Sequence, residues 1–258
     1  MSLHDTTRRD PTASVAARAA TLVYGVTIYM LFLATFLYLI GFVAGVGVPK
    51  GIDDGELVGF GRAALINLAL LGLFAVQHTI MARPAFKREW TKRIPAVIER
   101  STFVLVTLLC LWLIVAWWQP MPGGIWNVET PALAALLWAL SALGWGIVLL
   151  STFLIDHFDL FGLRQVVSYA MARSPKRIAF RERSLYRLVR HPMMVGFIIA
   201  FWATPHMTLG HLFFAAVTTL YILFAIQIEE KTLIELHGDD YEAYCKRVPM
   251  IIPRMRRG

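Results

Sequence analysis

Four stretches of this chain are long and apolar enough to cross a lipid bilayer, and they constrain its fold more than any motif does. Thr21–Val48, Ser101–Trp118 and Ala132–Ile155 contain no Asp, Glu, Lys or Arg, and Leu57–Met81 contains one charge, Arg62. About 20 apolar residues span the hydrocarbon core. A backbone in lipid must satisfy its own hydrogen bonds, so each run is expected to be a helix. Two shorter apolar runs follow, Pro192–Ala203 and Leu212–Ile228, separated by TPHMTLGH. The first is too short to cross alone and reads as one arm of a helical hairpin. The expected fold is an all-α integral membrane protein with four crossing helices and a C-terminal hairpin.

The polar segments between the runs set an orientation. Basic residues concentrate in the N-terminal tail, in 82–100, in 156–190 and in 229–258. The loops at 49–56 and 119–131 hold one Lys and four acids between them. Positive segments stay cytoplasmic, so both termini are expected on that side. The excess of 25 Lys and Arg over 17 Asp and Glu is then a membrane-topology signal, not a nucleic-acid footprint. Residues 1–20 read as a cytosolic tail, because Arg8-Arg9 is not followed by the apolar core and small-residue cleavage site of a signal peptide. Residues 21–155 hold the four crossing helices. Cys110 and Cys245 form neither a disulfide framework nor a metal-ligand spacing. Trp117, Trp118 and Trp126 suit a membrane interface.

The polar residues worth explaining lie on the basic side. In SLYRLVRHPMMVGF, His191 precedes a proline and is pushed toward an extended backbone. Pro192 suits the first turn of a helix. A helix carrying Arg183, Arg187 and Arg190 on one face should therefore stop and restart at Pro192, presenting fresh amides beside Arg190 and His191. That suits a carboxylate or phosphate. Arg183 and Arg187 are read as partners of lipid headgroups. Glu229-Glu230 follows the last apolar run, where acids sit against the helix dipole. Neighbouring helix positions diverge by about 100°, so one Glu can face a site while the other pairs with an arginine. His237-Gly238 reads as a helix stop. Leu233, Leu236, Tyr241 and Tyr244 make the tail an interfacial amphipathic segment, and Pro249 and Pro253 let it fold back over the hairpin.

RHPMMVG, EE some way downstream, and then YEAY and VP resemble the isoprenylcysteine carboxyl methyltransferase-like superfamily, to which phospholipid N-methyltransferases are related. That likeness covers about Asp156–Pro253. QHTIMARPAFKREWTKRIPAVIERSTFVL and HFDLFGLRQV resemble the methanethiol S-methyltransferases and their NnrU-type relatives, which extends it over most of the chain. One departure is Met194, where the prenylcysteine enzymes usually carry an aromatic, and it argues for a smaller substrate.

The resemblance implies S-adenosyl-L-methionine as methyl donor, no metal, a small thiol substrate such as methanethiol and dimethyl sulfide as product. It implies a multi-pass protein of the bacterial inner membrane, its site facing the cytoplasm, with no nucleic acid or obligate protein partner. Residues 156–258 become the cofactor-binding region. Arg190, His191 and the amides after Pro192, with Gly196, would meet the donor carboxylate. Glu229 or Glu230 would serve its ammonium or ribose, and Tyr244, Val248 and Pro249 would cover the adenine.

In-line methyl transfer needs alignment, exclusion of water and removal of the thiol proton. The candidates are His78, Asp156, His157 and Asp159. A His78–Asp156 pair is expected as the base, with Asp159, Arg164 and Gln165 shaping the pocket. Three rival readings stand beside this one: a lipid or prenylcysteine methyltransferase, a membrane carrier or scaffold, and a nicotinamide-dependent reductase, for which no GxGxxG after a strand is present.

Overall fold

A computed structural model describes residues 14–173 and 184–253. In order, its helices are α1 (Val15–Ala44), α2 (Phe60–Ala82), α3 (Pro84–Trp90), α4 (Glu99–Trp117), α5 (Pro131–Ile155), α6 (His157–Leu160), α7 (Leu163–Ala170), α8 (Pro192–Trp202), α9 (Leu209–His237) and α10 (Asp239–Arg247). Two short strands, β1 (Gly124–Asn127) and β2 (His206–Thr208), pair antiparallel.

Five helices are long and apolar enough to cross a membrane: α1, α2, α4 with the 3-10 turn before it, α5 and α9. The sequence suggested four and a hairpin. The difference lies in α9, which runs 29 residues from Leu209 to His237. It continues straight through Glu229-Glu230, because Glu, Lys and Leu are good helix formers, and it ends only where Gly238 takes φ +56°. The acids therefore sit inside a helix and not at its exit. Helix α8 has 11 residues and rises about 16 Å, half a hydrocarbon core. These helices turn large apolar side chains outward, among them Val23, Leu37, Leu65, Leu136 and Phe224, as a lipid-facing surface requires.

Three boundaries also differ from the sequence reading. Helix α1 begins at Val15, so the residues from there to Ala20 belong to a helix and not to a tail. The basic loop after α2 contains α3, opened by Pro84 at its first turn behind an extended Arg83. The expected arginine-bearing helix before Pro192 is only a 3-10 turn, Ser184–Arg187. Arg183 lies outside the described residues, as do Lys176, Arg177 and Arg181.

The chain forms two compact units. Among the described residues, the first contains 14–42, 66–118 and 156–173. Its core joins Ile28 of α1, Met81 of α2 and Phe103, Val104 and Leu108 of α4. The connection between α6 and α7 presses onto α4 at Gly162, which holds φ +84°. A Cβ there would lie 2.6 Å from Ser101 Oγ, so only glycine meets both demands.

Among the described residues, the second unit contains 43–65, 119–155 and 184–253. Its organising contact is α5 against α8. A Cβ on Gly144 would meet the Ala200 amide nitrogen at 2.6 Å, and one on Gly196 would meet the Gly144 carbonyl oxygen at 2.7 Å. The two backbones touch as small residues allow in membrane helices. Ser141 Oγ donates to the Ala200 carbonyl at 3.1 Å. At the far end of α8, the β1–β2 pair and the Trp126 indole, which donates to the Thr204 carbonyl, join the two connecting segments. Helix α8 is thereby held at both ends, and its N-terminus is a fixed point.

Candidate active site

The residues singled out from sequence fall into two clusters, one in each unit. In the second unit, α8 restarts at Pro192 after His191, whose φ of −123° and ψ of 62° are non-helical but fall short of the extended backbone expected before the proline. The backbone just before it is fixed by the C-terminal tail: the Arg190 amide donates to the Pro249 carbonyl at 2.9 Å, and the His191 amide to the Met250 carbonyl at 3.1 Å. The tail after α10 thus lies back along the entrance to α8.

Arg190 is almost fully engaged. Its Nε donates to Glu230 Oε1 at 2.7 Å and its Nη2 to Glu230 Oε2 at 3.1 Å. Its Nη1 donates to the Cys245 and Val248 carbonyls at 3.1 and 2.5 Å. Burial disfavours the guanidinium charge, but the hydrogen bonds and charge of Glu230 outweigh it and raise the Arg190 pKa above its usual value. His191 Nε2 lies 3.0 Å from the same Glu230 Oε1. Arg190 therefore clips α9, α10 and the tail together, and it has little capacity left for an external carboxylate.

Glu229 differs from its neighbour. Its side chain is half exposed, His191 Nδ1 lies 3.7 Å from it, and it makes no hydrogen bond among the described residues. One acid pairs with an arginine and the other stays open, as the roughly 100° between adjacent helix positions allows. Tyr244 is buried and its hydroxyl donates to the Tyr186 carbonyl at 2.6 Å, which fixes the 3-10 turn. Val248 is buried and Pro249 is bound through its carbonyl. Gly196 turns its bare side to α5. Burial pushes the Cys245 thiol above its usual range, with the Arg190 charge acting against that.

The first unit holds the other cluster. Asp156 caps α6 by accepting from the Asp159 amide at 3.2 Å, and it forms an ion pair with Arg164. Gln165 Nε2 donates to the Asp159 carbonyl and to Asp159 Oδ1 at 3.2 and 3.3 Å. The expected His78–Asp156 pair is not made. Asp156 is held by the cap and by a permanent cation, and either is a stronger partner than a neutral imidazole. His78 instead stacks on Phe74 at 5.3 Å and lies 5.1 Å from the Phe103 ring, with its buried Nδ1 making no hydrogen bond. His157 is buried among Tyr29, Phe32, Phe158 and Phe161, its Nε2 3.0 Å from the Tyr29 hydroxyl. Burial lowers its pKa, with the Asp156 charge opposing.

Two residues that the sequence presented only as loop charges join this cluster. Arg100, in the first turn of α4, donates through Nε to the Leu160 carbonyl at 2.6 Å, and its Cζ lies 4.8 Å from the Phe103 ring centroid. Lys87 of α3 lies within electrostatic reach of Arg100, Glu99 and Asp159. The available signal was the position of Arg100, directly against an apolar run.

The family model described as NnrU protein matches residues 66–250. This chain belongs to the NnrU family. Within the family it is 50% identical to the methanethiol S-methyltransferase of Pseudomonas sp. (strain GM41(2012)), over 93% of this chain and 92% of that one. It is also 50% identical to the methanethiol S-methyltransferase of Mycobacterium tuberculosis (strain ATCC 25618 / H37Rv), over 92% and 97%. Nurim of Bos taurus is a more distant relative, 30% identical over 65% of this chain and 66% of its own. No solved structure matches. The NnrU match covers both clusters, from His78 on α2 to Pro249 in the tail. Among the described residues, no three His, Cys, Asp or Glu side chains group at a spacing that holds a metal ion.

Proposed function

We propose that this chain is a membrane S-methyltransferase that converts methanethiol to dimethyl sulfide with S-adenosyl-L-methionine as donor. The observation that carries the reading is half-identity, along more than nine-tenths of the chain, to relatives that bear that enzyme name. The basic segments of the sequence belong on the cytoplasmic side by the positive-inside rule.

The second-unit cluster fits the donor. S-adenosyl-L-methionine supplies an electrophilic methyl group on a sulfonium and carries a cationic amine and a ribose diol, both of which need acceptors. Glu229 is an open carboxylate beside the first turn of α8, and it would take the amine or the diol. The amides after Pro192 would hold the donor's carboxylate. Arg190, Glu230, His191, Tyr244, Val248 and Pro249 build the wall that keeps Glu229 and α8 in place, and Gly196 lets α8 seat against α5.

Taken by itself, the first-unit cluster offers groups suited to a thiol. A free thiol has a pKa of about 8.5 and is mostly protonated at neutral pH. His78 Nδ1, buried with no hydrogen bond, is an acceptor for that proton. Its aromatic neighbours Phe74 and Phe103 give a small apolar thiol a dry surface. The Asp156–Arg164 pair and the Gln165–Asp159 bonds fix α6 and α7 beside α4. Calorimetric titration with S-adenosyl-L-methionine tests the donor half: purified protein binds it, and an absence of heat with folded protein would refute the assignment.

A further inference from the structure

Two of the four cations in the described clusters have a carboxylate partner. Arg164 has Asp156 and Arg190 has Glu230. Arg100 and Lys87 have none: no carboxylate oxygen lies within 4.0 Å of either, and Glu99 and Asp159 act on them at longer range. The Arg100 side chain is tethered by one bond, Nε to the Leu160 carbonyl, which leaves its terminal nitrogens with no hydrogen bond. The tether also fixes the guanidinium against Phe103, 4.8 Å from the ring centroid, and the same ring lies 5.1 Å from His78. Phe103 is buried, and Met81 packs in the same core. Burial and the repulsion of Arg100 together press Lys87 below its usual range, as two cations with no close counter-charge must.

We propose that Arg100 and Lys87 form an anion-binding site for the substrate sulfur, taking the thiol as its thiolate beside Phe103 and His78. The inference rests on the thiol-methyltransferase reading and extends it to the charge state of the substrate. The surroundings select the anion. Aromatic rings and Met81 favour a small polarizable charge with an apolar substituent, whereas a hydrated phosphate needs several donors and water. The step is an acid–base one. The S–H bond breaks, the proton passes to His78 Nδ1, and the electron pair stays on sulfur, where the two cations stabilise it. The titratable and charged groups around the site are His78 on α2, Lys87 on α3, Glu99 and Arg100 on α4, and Asp159 on α6, with Asp156 already paired to Arg164.

The test uses the full-length protein in detergent without methyl donor, titrated calorimetrically with thiocyanate as a small soft anion and, in parallel, with inorganic phosphate. Thiocyanate binds the wild type, and Arg100→Gln and Lys87→Gln each weaken it by ~10-fold or more, the scale of a lost charge-assisted bond. Arg100→Lys, which keeps the charge, retains most of the affinity. With donor and methanethiol added, both glutamine variants move the rise of kcat/KM to higher pH, while S-adenosyl-L-methionine affinity stays at the wild-type value. Lys87→Gln, on the short helix α3, keeps the test open should Arg100→Gln fail to fold. Phosphate binding in place of thiocyanate, or a pH profile unmoved in a folded Lys87→Gln variant, overturns the proposal. If the wild type makes no dimethyl sulfide at all, the function reading itself fails, and thiocyanate binding still reports on the site.

Discussion

Arg190 grips Glu230 with two parallel hydrogen bonds, 2.7 and 3.1 Å long, while Glu229, one residue earlier on the same helix, makes none. Two adjacent acids of one chemical type thus have opposite environments. Removing one partner of a pair this buried strands the other charge. Glu230→Ala and Arg190→Ala are each expected to destabilise the second unit by about 3–5 kcal/mol. Thermal unfolding of the two single variants and the double variant checks this, and the double variant should lose much less than the sum.

Glu229→Ala should behave in the opposite way. It breaks no hydrogen bond, so the thermal midpoint stays near wild type. Donor affinity falls by ~10-fold or more, as for a lost bond to a charged group. Calorimetry and a melting curve on the same sample distinguish this from a folding defect.

The Gly144–Gly196 contact sets where α8, and hence Pro192, is placed. Gly196→Ala and Gly144→Ala each put a methyl within 3 Å of facing backbone. Each should cost about 1–3 kcal/mol and weaken donor binding together with stability. The coupled loss separates them from Glu229→Ala.

His157 gives the fold a pH dependence of known sign. Burial holds its folded pKa below the ordinary 6.5. Below that pH the unfolded chain binds more protons than the folded one, so stability rises with pH. The contribution is complete above about pH 6.5 and is lost as pH falls toward the folded value. Melting temperatures at several pH values should drop toward pH 5, and His157→Phe should flatten that slope.

Much of this was legible in the sequence, for physical reasons. Apolar runs declare membrane helices, because lipid leaves the backbone no alternative. His191-Pro192 declares the break before α8, because proline restricts both residues. The length of α9 was not legible from hydropathy, since the helix continues on propensity after apolarity ends at Ile228. The split between Glu229 and Glu230 could be anticipated as a pattern, but not which acid pairs, since the tail that carries the Cys245 and Val248 carbonyls decides it. The His78–Asp156 pair failed because spacing along the chain does not register competition: Arg164, eight residues from Asp156, claims the carboxylate. Arg100 and Lys87 look like topology charges in a basic loop. Only the fold brings Arg100 onto Phe103 and within electrostatic reach of Lys87.

The most direct test of the account is headspace detection of dimethyl sulfide from purified protein supplied with S-adenosyl-L-methionine and methanethiol. The account predicts steady release of dimethyl sulfide by the wild type and a loss of about 100-fold or more for His78→Ala, the lower range of general-base contributions. A folded wild-type protein that binds the donor yet releases no dimethyl sulfide would contradict it.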